Sequence, residues 1–365
     1  MSALCLRAKP SQRQNSAMQA AFFHGVRDVR VREIADAEPR AGEVLLEVRA
    51  VGICGSDLHT YLLGNIGGVS SREPIVLGHE ASGVILALGA EVPPHLRVGQ
   101  RVAIDPATPC LQCEFCQHGQ QHLCLNLKFM GYFPQHGAMQ ERMTHPARSV
   151  VPVPDSISDV GAAMLEPLGV ALHAARLGAV QHGEDVLVTG CGTIGLLCVR
   201  LARLAGARHI FATDRYAWRL DMAANFGADY CLNIDRVDPV EEVLRLTNKR
   251  GVDVAFEAAW VTPTANQCAL AARNGGRVII VGIPAEDEFT LKASVVRRKE
   301  LTIIYSRRMN HTYEAAIALA ERGLIDLDAL GKHQMPLARV AEAFKAAADY
   351  HNGVVRAMVM PQMKG

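Results

Sequence analysis

Cys54, His79 and Glu80 have the residue types and order needed to hold a reactive metal ion. They bracket a stretch that opens CGSDLH, crosses a glycine-rich loop and closes GHE. A thiolate, an imidazole and a carboxylate bind zinc and leave a fourth position open. Zinc with an open position activates an oxygen ligand. Ser56 and His59 sit beside Cys54 and are placed to carry a proton. Asp57 is placed to accept the second ring N–H of His79. Singly, each ligand has a plainer explanation, since free cysteine is commonly buried for packing alone. The conjunction carries the reading.

A second cluster follows: Cys110-x2-Cys113-x2-Cys116-x7-Cys124. Four thiols on short spacers can wrap one ion tetrahedrally, and such a closed site leaves no room for a substrate. A structural zinc is the expectation, because disulfides between cysteines three apart would be cramped. Four-thiol modules also bind nucleic acid. A net charge of +1 and an aromatic share of 5% argue against that here. Glu166, just before Pro167 in LEPLGV, suits the first turn of a helix. The helix dipole alone would favour it there, and a metal role is the alternative.

The partner chemistry lies further along. Asp185–Thr189 reads as a buried strand, and Gly190-Cys191-Gly192-Thr193-Ile194-Gly195 follows at once. Helical spacing from Leu196 to Leu204 completes a strand, a G-x-G-x-x-G turn and a helix. Such a turn lets the backbone approach a pyrophosphate at a helix N-terminus. Asp214 ends the next strand, 19 residues past Gly195, close to the spacing of the acid that binds the adenosine ribose. An acid there repels a 2′-phosphate and favours NAD. Arg215 and Arg219 keep NADP open, since either could pair with that phosphate. Asp214 could also cap the following helix. Gly282 and Ile283 sit at a strand's carboxyl end, where ligands of such sheets bind.

These groups need two kinds of scaffold. From Gln19 to Val160 short apolar runs are broken by Gly and Pro, which predicts an all-β, barrel-like unit. Gly52, Gly55, Gly78 and Gly83 mark turns or close approaches. From Asp185 to Tyr305 strands alternate with helical segments, which predicts α/β architecture with a doubly wound parallel sheet. Helical patterns over 313–320 and 338–348 and a last strand over 354–360 follow, and the chain is expected to return to its first unit.

The ordered set ICGSDLH, LGHE, the four-cysteine lobe, LEPLGV and GCGTIG resembles the zinc-dependent medium-chain dehydrogenases, from about Met18 to the end. REPIVLGHE and Glu166-Pro167 are most similar to the branch acting on sorbitol, xylitol and related polyols. The resemblance implies a GroES-like catalytic domain over 18–166 and 308–365, split around a Rossmann domain over 167–307. It implies Cys54, His79, Glu80 and Glu166 at a catalytic zinc, with Glu80 bound directly in the polyol branch. Ser56 falls at the hydroxyl relay position, His59 at the histidine that passes the proton outward, and Arg308 near a substrate-binding arginine. The implied reaction oxidises a secondary hydroxyl of a polyol reversibly to a ketose with NAD. The alternatives are a sugar acid such as idonate, threonine or a simple alcohol as substrate, or NADP as acceptor. Thr60 stands where well-known sorbitol dehydrogenases have Tyr, so substrate contacts can differ. A homodimer or homotetramer is also implied.

Length and composition set the bounds. A chain of 365 residues can bury two cores. The hydrophobic share of 49% and charged share of 21% are ordinary for a soluble protein. No apolar run reaches a membrane span, and the charge balance predicts neither nucleic-acid nor membrane partners. Cysteines away from the two clusters fit a reducing compartment, and the expected location is cytoplasmic. Residues 1–17 carry three basic residues, Pro10 and no acid, which reads as a disordered extension rather than a targeting helix.

Overall fold

In this computed structural model, which describes residues 17–66, 68–350 and 353–364, the short apolar runs of the first half pair as strands. One sheet runs in the order Val150–Pro152, Arg101–Ile104, Glu80–Leu88, Glu43–Gly52, Ala357–Met360 and His333–Pro336, with Arg142–Pro146 also on Glu43–Gly52. Leu46, Ile85 and Ile104 point into its core with no exposed surface. A smaller sheet joins Ala17–Gly25, Asp28–Ala35 and Ile75–Val76. Ala357–Met360 reaches back across the chain, pairing Met358 with Gly52 and Val359 with Val51. The expected disorder over 1–17 lies outside the described residues, except for Ala17, which opens the first strand.

The middle of the chain forms a six-stranded parallel sheet. Its order is Tyr230–Asn233, His209–Asp214, Asp185–Thr189, Val252–Glu257, Ala272–Ile280 and Thr302–Tyr305. The order reverses between the third and fourth of these, the switch point where ligands bind in doubly wound sheets. Both strands at that point are buried along their whole length, as parallel strands covered on two faces must be. Asp185 is buried there because Arg208 and His209 pair with it, and Asp253 because Arg250 and Arg273 do. The α/β and β expectations therefore hold.

Two local differences matter for the site. The helix after the glycine turn starts at Thr193 rather than Leu196, because Gly192 itself is the extended N-cap. Gly55–Leu63 is a helix within the half read as strands. It is capped at Cys54, whose N–H donates to Asp57 Oδ2 at 2.9 Å. Gly64, at φ 76°, ends it. Nine residues are too few for a clear helical period. Among the described residues no helix is long and apolar enough to cross a membrane.

Candidate active site

The thiol of Cys54 comes from the N-cap of helix Gly55–Leu63. His79 and Glu80 come from the entry to strand Glu80–Leu88. Folding brings one ligand atom from each to within 4.8 Å of the others. Gly52, opposite Glu80 in the sheet register, makes the room: a Cβ there would collide with Glu80 Oε2. Glu80 is fully buried, and among the described residues neither of its oxygens accepts a hydrogen bond. Arg356 compensates the charge, with Nη2 3.1 Å from Glu80 Oε1 and Nη1 donating to Ile53 O at 2.6 Å. A buried carboxylate with unfilled lone pairs beside a thiol and an imidazole is a donor set that fits zinc.

Asp57 serves the site from below. Its Oδ1 accepts from Gly78 N at 3.3 Å and lies 3.6 Å from His79 Nδ1. That is an ion-pair distance rather than the expected hydrogen bond. Burial works to lower the His79 imidazole, but Asp57 and Cys54 outweigh it and hold it well above its ordinary value. A bound cation would compete with that proton. Ser56 Oγ stands 3.5 Å from His79 Nε2. Glu166 lies in the first turn of helix Leu165–Gly178 and faces the same cavity, outside the three-ligand group. Burial pushes its carboxyl up to about 8; His79 opposes this, and the nearby charges of Glu80 and Asp105 add to it.

His59 is buried, with its ring 4.5 Å from that of Trp260 in an edge-on contact from the other half of the chain. Burial lowers its basicity, and Glu286 works against that. Arg308, at φ 56°, lays its guanidinium 3.5 Å from the ring centre of Phe129. Burial brings it down to about 10.

The glycine turn is shaped for close approach. Gly190 has φ 84°, and a Cβ on Gly195 would collide with Gly190 O. Space beside Gly192 is open, and Thr193 and Ile194 line the cavity with it. Asp214 is drawn into this turn: Oδ2 accepts from Cys191 N at 2.9 Å and Oδ1 from Tyr216 N at 3.0 Å. It is not the helix cap, since Ala217–Phe226 is capped at Tyr216. Arg219 Nη1 is 3.5 Å from Asp214, whereas Arg215 turns outward to Asp235 at 3.6 Å. Glu257, unsuspected from sequence, holds the turns on the other side. It accepts from Ala259 N at 2.9 Å, Gly282 N at 3.1 Å and Thr264 Oγ1 at 2.7 Å. Gly282, whose Cβ would collide with Ala259 O, and Ile283 complete that wall.

One cavity of about 590 Å³ joins Cys54, His79 and Glu80 to Gly192, Asp214 and Gly282. The four thiols of Cys110, Cys113, Cys116 and Cys124 form a separate group, also within 4.8 Å of one another. Backbone N–H groups lower the Cys110 and Cys113 thiols, Cys110 to about 6, whereas burial pushes Cys116 up to about 12, so a bound cation would have to draw that proton away. Arg356 was not legible as a site residue. It precedes a strand by one position, and only the pairing of that strand with Gly52 brings it to Glu80.

The sequence matches the family "alcohol dehydrogenase GroES-like domain" over residues 40–155 and "zinc-binding dehydrogenase" over 193–322. It is 37% identical over 345 residues to a sorbitol dehydrogenase of Bacillus subtilis (strain 168), covering 94% of this chain and 97% of that one. A zinc-binding dehydrogenase of Sinorhizobium meliloti 1021 bound to NADP superposes with a TM-score of 0.86 at 30% identity, over 95% and 100% of the two chains. A protein described as a short chain alcohol dehydrogenase of Escherichia coli CFT073, complexed with NADH, gives 0.87 at 28%, over 94% and 99%.

Proposed function

We propose a function from a fixed premise: the chain belongs to the zinc-dependent medium-chain dehydrogenases, in the branch of the sorbitol dehydrogenases. It oxidises a secondary hydroxyl of a polyol reversibly to a ketose, with NAD as the hydride acceptor. The single cavity that joins the thiol–imidazole–carboxylate group to the glycine turn carries this reading.

Cys54, His79 and Glu80 would hold a catalytic zinc, and the four lobe cysteines a structural one. When bound, zinc lowers the pKa of a hydroxyl and nicotinamide accepts hydride. The chain's own residues do the rest. Ser56, beside His79, accepts the hydroxyl proton and passes it toward His59. Arg356 pairs with Glu80 and holds it aimed at the ligand group. Glu166, facing the same cavity, would bind the zinc or hold the water on it. Glu257 fixes the two turns on which the nicotinamide would rest. Asp214 receives the adenosine ribose and disfavours a 2′-phosphate. The exposed strand Thr302–Tyr305 at the sheet edge, with Tyr305 62% exposed, supports pairing of two copies.

A second reading, a sugar acid of the idonate type, draws on Arg308. Its guanidinium lies over the Phe129 ring and lines the cavity along with Glu166. NAD- and NADP-linked rates against polyols and their aldonic acids, with zinc content measured on the same sample, decide between the two. Turnover on polyols with NAD and two zinc atoms per chain is expected. Turnover on acids alone would replace the substrate reading, and activity in zinc-free enzyme would end the mechanism.

A further inference from the structure

Beside Asp214, three aromatic rings close around the Arg219 guanidinium. Its Cζ lies 4.3 Å from the ring centre of Tyr350, 5.1 Å from Trp218 and 5.3 Å from Tyr216. The rings pack on one another as well, with centres 5.5 Å apart for Tyr216 and Tyr350 and 6.1 Å for Tyr216 and Trp218. The Arg219 side chain is only 12% exposed, and Nη1 turns toward Asp214. Tyr216 and Trp218 come from the nucleotide half, at the start of helix Ala217–Phe226. Tyr350 comes from the other half, just after helix Val340–Ala348. A Cβ on Gly353 would lie 3.8 Å from the Trp218 ring, so the chain after Tyr350 passes close to the cage.

This cage bears on which cofactor fits. An arginine that reads a phosphate presents two N–H groups along one free edge. Arg219 has a ring stacked close on it and Asp214 at one end. Ring quadrupoles hold a cation more firmly once water is excluded. The other nearby cation, Arg215, does not line the cavity. Arg219 is held by the rings and by Asp214, and Arg215 by Asp235, so neither is free for a 2′-phosphate.

We propose that Tyr350 is a positioning residue for cofactor specificity: its ring, reaching across from the ligand-bearing half, pins Arg219 and so withholds it from a 2′-phosphate. The proposal rests on the NAD reading above. Removal of the ring should free the guanidinium to swing toward a phosphate without adding any new charge.

The test compares kcat/KM for NAD and NADP with one alcohol in wild type, Tyr350→Ala, Tyr350→Phe and Tyr350→Ala combined with Arg219→Ala. The ratio of NADP to NAD should rise about tenfold in Tyr350→Ala. The change should fall mainly on the KM for NADP. Tyr350→Phe keeps the ring and should shift the ratio far less than Tyr350→Ala. The double variant should lose the gain, because the freed cation is gone. General loosening of the fold would weaken both cofactors together and leave the ratio where it was. An unchanged ratio in Tyr350→Ala, an equal shift in Tyr350→Phe, or a gain that survives in the double variant overturns the proposal. A wild type that already prefers NADP overturns the NAD reading and the proposal together. A wild type that prefers NAD with an unmoved ratio overturns the proposal alone.

Discussion

The two cysteine-bearing clusters lie in the same half of the chain and are built in opposite ways. The four thiols of the lobe come from one short run, and backbone N–H groups of that run already lower two of them. The cleft group takes its members from a helix cap and a strand entry, and it relies on Arg356 from the far end of the sequence. The lobe's members are partly exposed or small and soft, whereas Glu80 and Glu166 are buried carboxylates. A local site needs only its own loop. An open site needs long-range partners, because a buried charge without one costs several kcal/mol. The difference teaches where reactivity and where rigidity are stored.

That contrast breaks most directly at the cysteines. Cys54→Ala should lower kcat by about 10³-fold or more, since it removes one of the three proposed zinc ligands. NAD binding, followed by fluorescence, should stay within about twofold, because the glycine turn is untouched. Cys113→Ala should act the other way. A structural site contributes folding energy, so the melting temperature should fall by about 10 °C while kcat per folded molecule changes little. If Cys54→Ala turns over normally, or Cys113→Ala abolishes chemistry in a fully folded protein, the two sites have been assigned the wrong way round.

A finer probe is Arg356→Gln. It keeps much of the volume but leaves Glu80 buried without its cation. Breaking a buried pair from one side costs about 3–5 kcal/mol, and loss of the outer partner of a metal ligand typically weakens metal binding by about 10–100-fold. Zinc affinity by competition with a chelator should therefore drop for one of the two ions and not the other. Equal loosening of both would show that the clusters are mechanically linked and would remove the contrast.

Much of the fold was legible because the parallel sheet announces itself in period and in its glycine turn. Asp185–Thr189 and Val252–Glu257 are continuous apolar stretches with acids only at partnered positions. The Cys54–His79–Glu80 group was legible as residue types, and Gly52 as a close approach whose partner was unknown. What could not be read were side chains whose meaning depends on strand pairing. Arg356 gains its role from the register of Met358 with Gly52. Glu257 looks like the polar end of a strand, and only the two turns above it reveal a buried acceptor. Helix Gly55–Leu63 escaped notice because its stop signal, Gly64, sits in a run of turn-type residues.

The smallest expected effect is also the most diagnostic of the cleft's buried charge. Burial pushes the Glu257 carboxyl up to about 7, even though Thr264, Ala259 and Gly282 donate to it. Unfolded, the same group titrates near its ordinary value of 4.5. Its folded pKa is the higher one, so the folded state holds the proton more tightly between those two values. Stability from this group is fully present below the unfolded pKa and is lost as pH rises toward 7. Over that window it should amount to about 3 kcal/mol at most. Glu257→Gln cannot titrate, so denaturation midpoints measured from pH 4.5 to 7.5 should fall less steeply with pH than in wild type. A Glu257→Gln slope equal to wild type would place the pH response elsewhere and leave Glu257 as an ionised acceptor throughout.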